Sequence, residues 1–389
     1  MVLGKLRPVG SKVPKPESSG TLLPWEDKYL HEFTRSGTDA LSLAVALATT
    51  VRADVESPEV LMPAYGCPDL VAAVVAQGAR PVLVDLSDQQ TPRMDPGNVA
   101  AAITNHTIAV IAVDFLGIPE GLGALSDICR ANNLLLVEDS AQGFPPASVE
   151  TGAADLIVLS FGRGKPINLM GGGALLIRRD HHSRLLPVIS GYPVIPLKIN
   201  ALWYIKRFLF NLMLSRHFYA CMEHVPFLHL GETRLHLLGK VRRLDLPKRL
   251  VNAGFLKFHS RPVWQPVYDG KLSFLDDFGW VRLHASCDDR ENRAQPRLRY
   301  ALLAPSQEMR DQMISALNKV GVAANSFYGK ALPDIDGVIQ FLGAASNYPL
   351  ADKFASRLIT LPCHEDLTET DIERVAACFR VKLELPCAC

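Results

Sequence analysis

The sequence predicts an α/β fold: a largely parallel central sheet with helices on both faces, followed by a smaller C-terminal α+β domain. Three features carry that prediction. Between residues 36 and 161, short apolar runs alternate with helical patterns, the order expected of strand–helix–strand units. The strand-like runs are apolar almost throughout, as strands buried on both faces are. Near residue 270 the alternation gives way to a different order of elements.

The elements follow in sequence. Ser36-Gly-Thr-Asp-Ala-Leu opens an apolar helix, with Ser36 or Thr38 as its cap. Val60–Tyr65 reads as a strand, Asp69–Gln77 as a helix and Pro81–Asp85 as a short strand. Asp95–Ile103 is helical, Thr107–Phe115 is a strand, and Gly121–Asn132 is again helical. Two buried strands follow, one ending at Asp139 and one at Phe161. Later, Leu298–Ala304 reads as a strand, Ser306–Val320 as a helix, Val322–Tyr328 as extended and Glu369–Phe379 as a final helix. These divide the chain into an N-terminal arm (1–24), expected to be flexible with one strand at most, a large domain (25–265) and a small C-terminal domain (266–389).

The two strands ending at Asp139 and Phe161 carry the chemistry. Ligands in open α/β sheets sit beyond the carboxyl ends of strands. One strand delivers Asp139 there; the other delivers Ser160 and then Lys165 on a glycine-flanked turn. A lysine and a buried acid in that position suit pyridoxal phosphate, the lysine forming a Schiff base and the acid pairing with the ring nitrogen. A phosphate-binding loop is excluded, because position 159 is Leu and Pro166 stands where Ser or Thr is needed. The opening helix at Ser36 offers free N–H groups and a positive dipole end to a phosphate. Alternation turns Glu138 to the opposite side of its strand, so it is structural.

Several segments together resemble the DegT/DnrJ/EryC1/StrS sugar aminotransferases. They are Ser36-Gly-Thr-Asp-Ala-Leu, Met62-Pro-Ala-Tyr-Gly-Cys-Pro, Gln77-Gly-Ala-Arg-Pro-Val-Leu-Val-Asp, Val137-Glu-Asp-Ser-Ala-Gln, Ser160-Phe-Gly-Arg-Gly-Lys and Gly171-Gly-Gly-Ala, with Leu361-Pro-Cys-His-Glu-Asp near the end. The resemblance implies fold type I of the pyridoxal-phosphate transferases. It implies Lys165 as the catalytic lysine, Asp139 as the ring-nitrogen partner and Gln142 at the phenolic oxygen. Gly37, Thr38, Ser160 and the Asp39 N–H would serve the phosphate, either Tyr65 or Cys67 would stack on the ring, and Tyr328 would approach substrate. It further implies a cytoplasmic homodimer with shared sites, Arg242 or Arg243 reaching the neighbour's phosphate. The activity implied moves an amino group, from glutamate, to a keto or aldehyde sugar or sugar nucleotide. The product would serve surface polysaccharide, lipopolysaccharide or secondary metabolism. Two alternatives are a sugar dehydratase of the same superfamily, which carries histidine at the lysine position, and a non-catalytic partner protein of the same fold. Two departures stand out: Leu169-Met precedes the glycines, and Gly239-Lys-Val-Arg-Arg-Leu-Asp245 matches the dimer-crossing segment poorly.

Composition excludes other classes. A net charge of +1 argues against nucleic acid. No apolar run is long enough to span a bilayer, and Met1 to Gly20 lacks a signal-peptide core. The eight cysteines are scattered, as free thiols are; Cys387 and Cys389 sit on a tail expected to be inert. Residues 181–260 form a divergent apolar insert. Within it, 201–214 reads as an amphipathic helix packed on the domain or a dimer partner, with membrane-surface contact the less favoured role. His217, His224, His229 and His236 recur there without a tight ligand pair, so no metal is expected.

Overall fold

A computed structural model describes residues 5–17, 23–216, 218–219, 233–283, 295–343 and 347–384, with backbone only for 182–185. Nine strands form one sheet in the order β3-β2-β4-β5-β6-β7-β1-β9-β8. They are β1 (Tyr29–Thr34), β2 (Glu59–Pro63), β3 (Arg80–Val84), β4 (Thr107–Val113), β5 (Leu135–Asp139), β6 (Leu156–Ser160), β7 (Gly173–Arg178), β8 (Val194–Pro196) and β9 (Arg243–Asp245). From β3 to β6 all neighbours pair in parallel. β7 turns back antiparallel between β6 and β1. A second, three-stranded antiparallel sheet joins β10 (Val281–Arg282), β11 (Arg299–Leu303) and β12 (Leu358–Pro362).

The first helices are α1 (Gly37–Val51), α2 (Asp69–Val75), α3 (Pro96–Ala102), α4 (Leu122–Ala131) and α5 (Ala147–Thr151). α6 (His182–Ser190) and α7 (Ala201–Met213) lie in the insert. They are followed by α8 (Lys248–His259), α9 (Gln265–Lys271), α10 (Gln307–Lys319), α11 (Pro349–Arg357) and α12 (Glu369–Lys382). From β3 to β6 each strand is buried along its length, apart from the first and middle residues of β3 and the last residue of β6. Its two faces feed two apolar layers: one under α1 and α2, the other under α4 and α8. Sandwiching of this kind explains why the strand runs are continuously apolar.

Two expectations are corrected by packing. The arm is docked, and residues 5–17 contain no strand. Leu6 enters the core of the small sheet and its N–H donates to the Gly321 carbonyl at 2.9 Å. Arg7, almost fully buried, ion-pairs with Asp366 at 2.5 Å and donates to the Leu214 carbonyl. The helix expected at 201–214 forms as α7, but only one edge of it packs. Trp203 is buried, whereas most of its other large apolar side chains face solvent. His236 is exposed; His217, His224, His229 and the Cys387/Cys389 tail lie outside the described residues.

Candidate active site

The carboxyl ends of three neighbouring parallel strands meet at one cavity of about 180 Å³. Register aligns Val113 of β4 with Asp139 of β5, and Asp139 with Val158 of β6, so Ser160 projects two residues further. Val113, Asp139 and Ser160 all line the cavity, together with Lys165 and Gln142 from the loops beyond. The opposite wall is the start of α1 (Ser36, Gly37, Thr38, Leu41) and the segment entering α2 (Cys67, Asp69, Leu70).

α1 reaches the strand ends because two glycines let it. A Cβ on Gly37 would lie 2.7 Å from the Cβ of Ser160, and one on Gly173 would lie 2.6 Å from the Ser36 carbonyl oxygen. Any side chain at either place would push the helix away from the sheet. Ser36, rather than Thr38, caps α1: its hydroxyl accepts the Asp39 N–H at 3.1 Å and donates to the Asp39 carboxylate. The N–H groups of Gly37 and Thr38 are beyond reach of any intrahelical carbonyl, and they sit at the cavity wall.

Thr38 donates its hydroxyl to Asp69 at 2.8 Å. Asp69 was not singled out from the sequence, since it reads simply as the first residue of a helix. Its signal is positional: it follows β2 at the same edge of the sheet.

Asp139 is buried, and its Oδ1 accepts the Ala141 N–H at 3.0 Å. Burial raises its pKa, and the nearby Lys165 charge opposes that rise. Glu138, one residue earlier, faces away, as alternation requires. Its carboxylate accepts the Ala147 and Ser148 N–H groups at 2.7 and 3.0 Å and so caps α5.

The loop carrying Lys165 is braced from three directions. The Phe161 carbonyl accepts from Leu169 and Gly171. Asn168 donates to the Ser11 carbonyl at 2.7 Å, and Arg261 donates to the Pro166 carbonyl. The docked arm therefore helps hold the lysine loop.

Gln142 donates to the Tyr328 hydroxyl at 2.9 Å and accepts the Leu116 N–H at 3.2 Å. This brings Tyr328 in from far along the chain. Tyr65 and Asp39 do not fit their expected roles. Tyr65 is sequestered among Phe115, Phe354 and Tyr328, with ring centroids 5.2, 5.0 and 5.8 Å away. Cys67, two residues on, is the one that lines the cavity. Burial pushes its thiol up to about 12. The Asp39 N–H is taken by the Ser36 cap, and its carboxylate accepts the Arg242 N–H at 2.9 Å. Arg243 ion-pairs with Glu32 of its own chain at 3.2 Å.

The chain is 27% identical, over 90% of its own length and 84% of the relative's, to dTDP-4-dehydro-2,3,6-trideoxy-D-glucose 4-aminotransferase of Saccharopolyspora spinosa. It is 30% identical to a pleiotropic regulatory protein of Geobacillus stearothermophilus, covering 89% of this chain and 84% of that one. Among solved structures, Helicobacter pylori PseC, an aminotransferase of pseudoaminic acid biosynthesis, superposes with a TM-score of 0.68 at 18% identity, over 98% and 99% of the two chains. Residues 33–190 and 261–380 match the DegT/DnrJ/EryC1/StrS aminotransferase family, and this chain belongs to that family.

Proposed function

We propose that this aminotransferase uses pyridoxal 5′-phosphate in the cavity at the ends of β4, β5 and β6. It takes an amino group from glutamate and places it on the keto or aldehyde carbon of a sugar nucleotide. One observation carries the reading: Lys165, Asp139 and Ser160 line a single cavity with the free N-terminus of α1. The donor set fits the cofactor. A helix start with unpaired N–H groups and two hydroxyls suits a phosphate, a buried carboxylate suits a pyridine nitrogen, and a lysine suits covalent attachment.

When bound, the cofactor supplies an electron sink for the reacting carbon. Lys165 would hold it, and its Nζ would then carry the proton to and from that carbon. Asp139 would keep the ring nitrogen protonated, since a cationic ring nitrogen beside it would favour the carboxylate that burial alone disfavours. Ser160, Thr38 and the Gly37 N–H would hold the phosphate. Cys67 would lie against the ring and Gln142 would orient the ring oxygen. Tyr328, tied to Gln142, would face the acceptor.

The remaining features follow as part of the same proposal. They are a homodimer with Arg242 or Arg243 serving the neighbouring site, a cytoplasmic location, and a boundary near residue 265 between large and small domains. A non-catalytic role has one relative's regulatory name behind it and the assembled lysine–acid pair against it.

The test is the absorption spectrum of the purified protein after incubation with the cofactor, with and without glutamate, beside Lys165→Ala. A visible band that bleaches with glutamate, and is missing from the variant, supports the reading. A protein that stays colourless after reconstitution sinks it.

A further inference from the structure

We infer that α7 is an in-plane membrane helix, docking this enzyme on an anionic phospholipid surface with its active-site loop close to that surface. The helix is held with its apolar side outward. Trp203 is buried on the inner edge, Arg207 donates to the carbonyls of Val13 and Pro14 at 2.9 Å each, and Asn211 both donates to Val13 and accepts from it. These bonds leave Leu202, Ile205, Phe208 and Leu209 exposed by 56, 56, 63 and 50%. Side chains at that spacing share one side of a helix. Nine of the fifteen large apolar side chains exposed among the described residues fall between Leu186 and Phe218, which marks a docking surface rather than scatter.

Charge selects the occupant. Residues 181–222 contain five Lys or Arg and no Asp or Glu, in a chain whose overall charge is +1. Arg216 is paired with Asp371 and Arg207 is turned inward, so the exposed Lys198 and Lys206 are the cations bordering the apolar side. Apolar residues bordered by exposed lysines suit an anionic lipid surface. A second copy of the chain is disfavoured, because a two-fold contact sets the same basic patch against itself. α7 has thirteen residues, short of the roughly twenty needed to cross a bilayer, so it lies in the interface. Under it runs a groove of about 690 Å³, bounded by Trp203, Lys206 and Phe210 on one side and by Arg163, Met170 and Gly171 on the other. Arg163 stacks over Phe210 at 5.4 Å and is two residues from Lys165. The helix and the lysine loop therefore share a wall.

Flotation of the full chain with vesicles tests this. Phosphatidylcholine vesicles, with or without about one-third phosphatidylglycerol, are compared at low salt. The anionic vesicles are expected to carry the protein. The triple variant Ile205→Ser, Phe208→Ser, Leu209→Ser should bind them roughly tenfold more weakly or worse. Its melting point should stay unchanged, because all three side chains face solvent. Lys198→Glu together with Lys206→Glu should weaken binding to anionic vesicles alone. Failure of the parent protein to float at low salt overturns the inference, as does equal flotation of the triple variant. So does a triple variant whose only change, by sedimentation, is loss of self-association, since a second copy then covers the face. None of these readouts depends on the cofactor, so the aminotransferase reading stands or falls separately.

Discussion

Acidification from pH 7 to about 4.5 should destabilise the fold through His364 by an amount that can be worked out in advance. His364 lies just beyond β12, is buried, and is locked in one tautomer. Its Nδ1 accepts the Asp366 N–H at 3.3 Å, so its Nε2 must donate to the Arg7 carbonyl at 3.1 Å. Burial, and then the Arg7 charge, push its pKa from 6.5 down to about 3. The unfolded chain takes up a proton below about pH 6.5, while the folded chain resists until about pH 3. Acid therefore favours the unfolded state, and stability is lost as pH falls through that window. At about 1.4 kcal/mol per unit, two units below the unfolded value correspond to roughly 2.5 kcal/mol. Urea midpoints measured across this range on the parent and on His364→Gln read the effect directly. Carboxylates titrate in both proteins, so the difference isolates the histidine. The variant should begin less stable at neutral pH and lose roughly 2.5 kcal/mol less on acidification. Parallel curves would refute the reasoning.

Three further outcomes are expected. Asp139→Asn should weaken cofactor binding by an order of magnitude or more while leaving the melting point of the cofactor-free protein unchanged or higher, because burial penalises the carboxylate; a lower melting point would contradict that account. Gly37→Ala should cost about 1–3 kcal/mol in stability, since its Cβ meets Ser160 at 2.7 Å, and it should lower affinity for inorganic phosphate; unchanged phosphate binding would separate α1 from the anion site. Tyr328→Phe should cost about 1–2 kcal/mol by stranding the Gln142 amide, detectable as a drop in thermal midpoint.

What the sequence made legible was what local pattern encodes. A continuous apolar run that stops at a polar residue marks the carboxyl edge of a buried strand, so the sequence alone puts Asp139, Ser160 and Lys165 together. The Ser36 cap was legible for the same reason. Partners set by distant chain were not. Tyr65 and Cys67 are two residues apart, yet Phe115, Tyr328 and Phe354 pull one into the core and leave the other at the cavity. Asp69 belongs to the wall only because α2 packs beside α1. The arm reads as flexible until Gly321, Asp366 and Leu214 appear as its partners. α7 shows the limit most plainly: periodicity reveals a stripe, but not what lies across from it.

The hydrogen bond from Thr38 sets the Asp69 carboxylate beside a hydroxyl that a phosphate would use. A phosphate would compete with that acid for the same donor, and two negative charges so close repel. Asp69 should therefore lower affinity for phosphate alone. An Asp69→Asn protein would hold inorganic phosphate more tightly, and would also lose some of the discrimination that favours a ligand anchored at both ends over a loose anion.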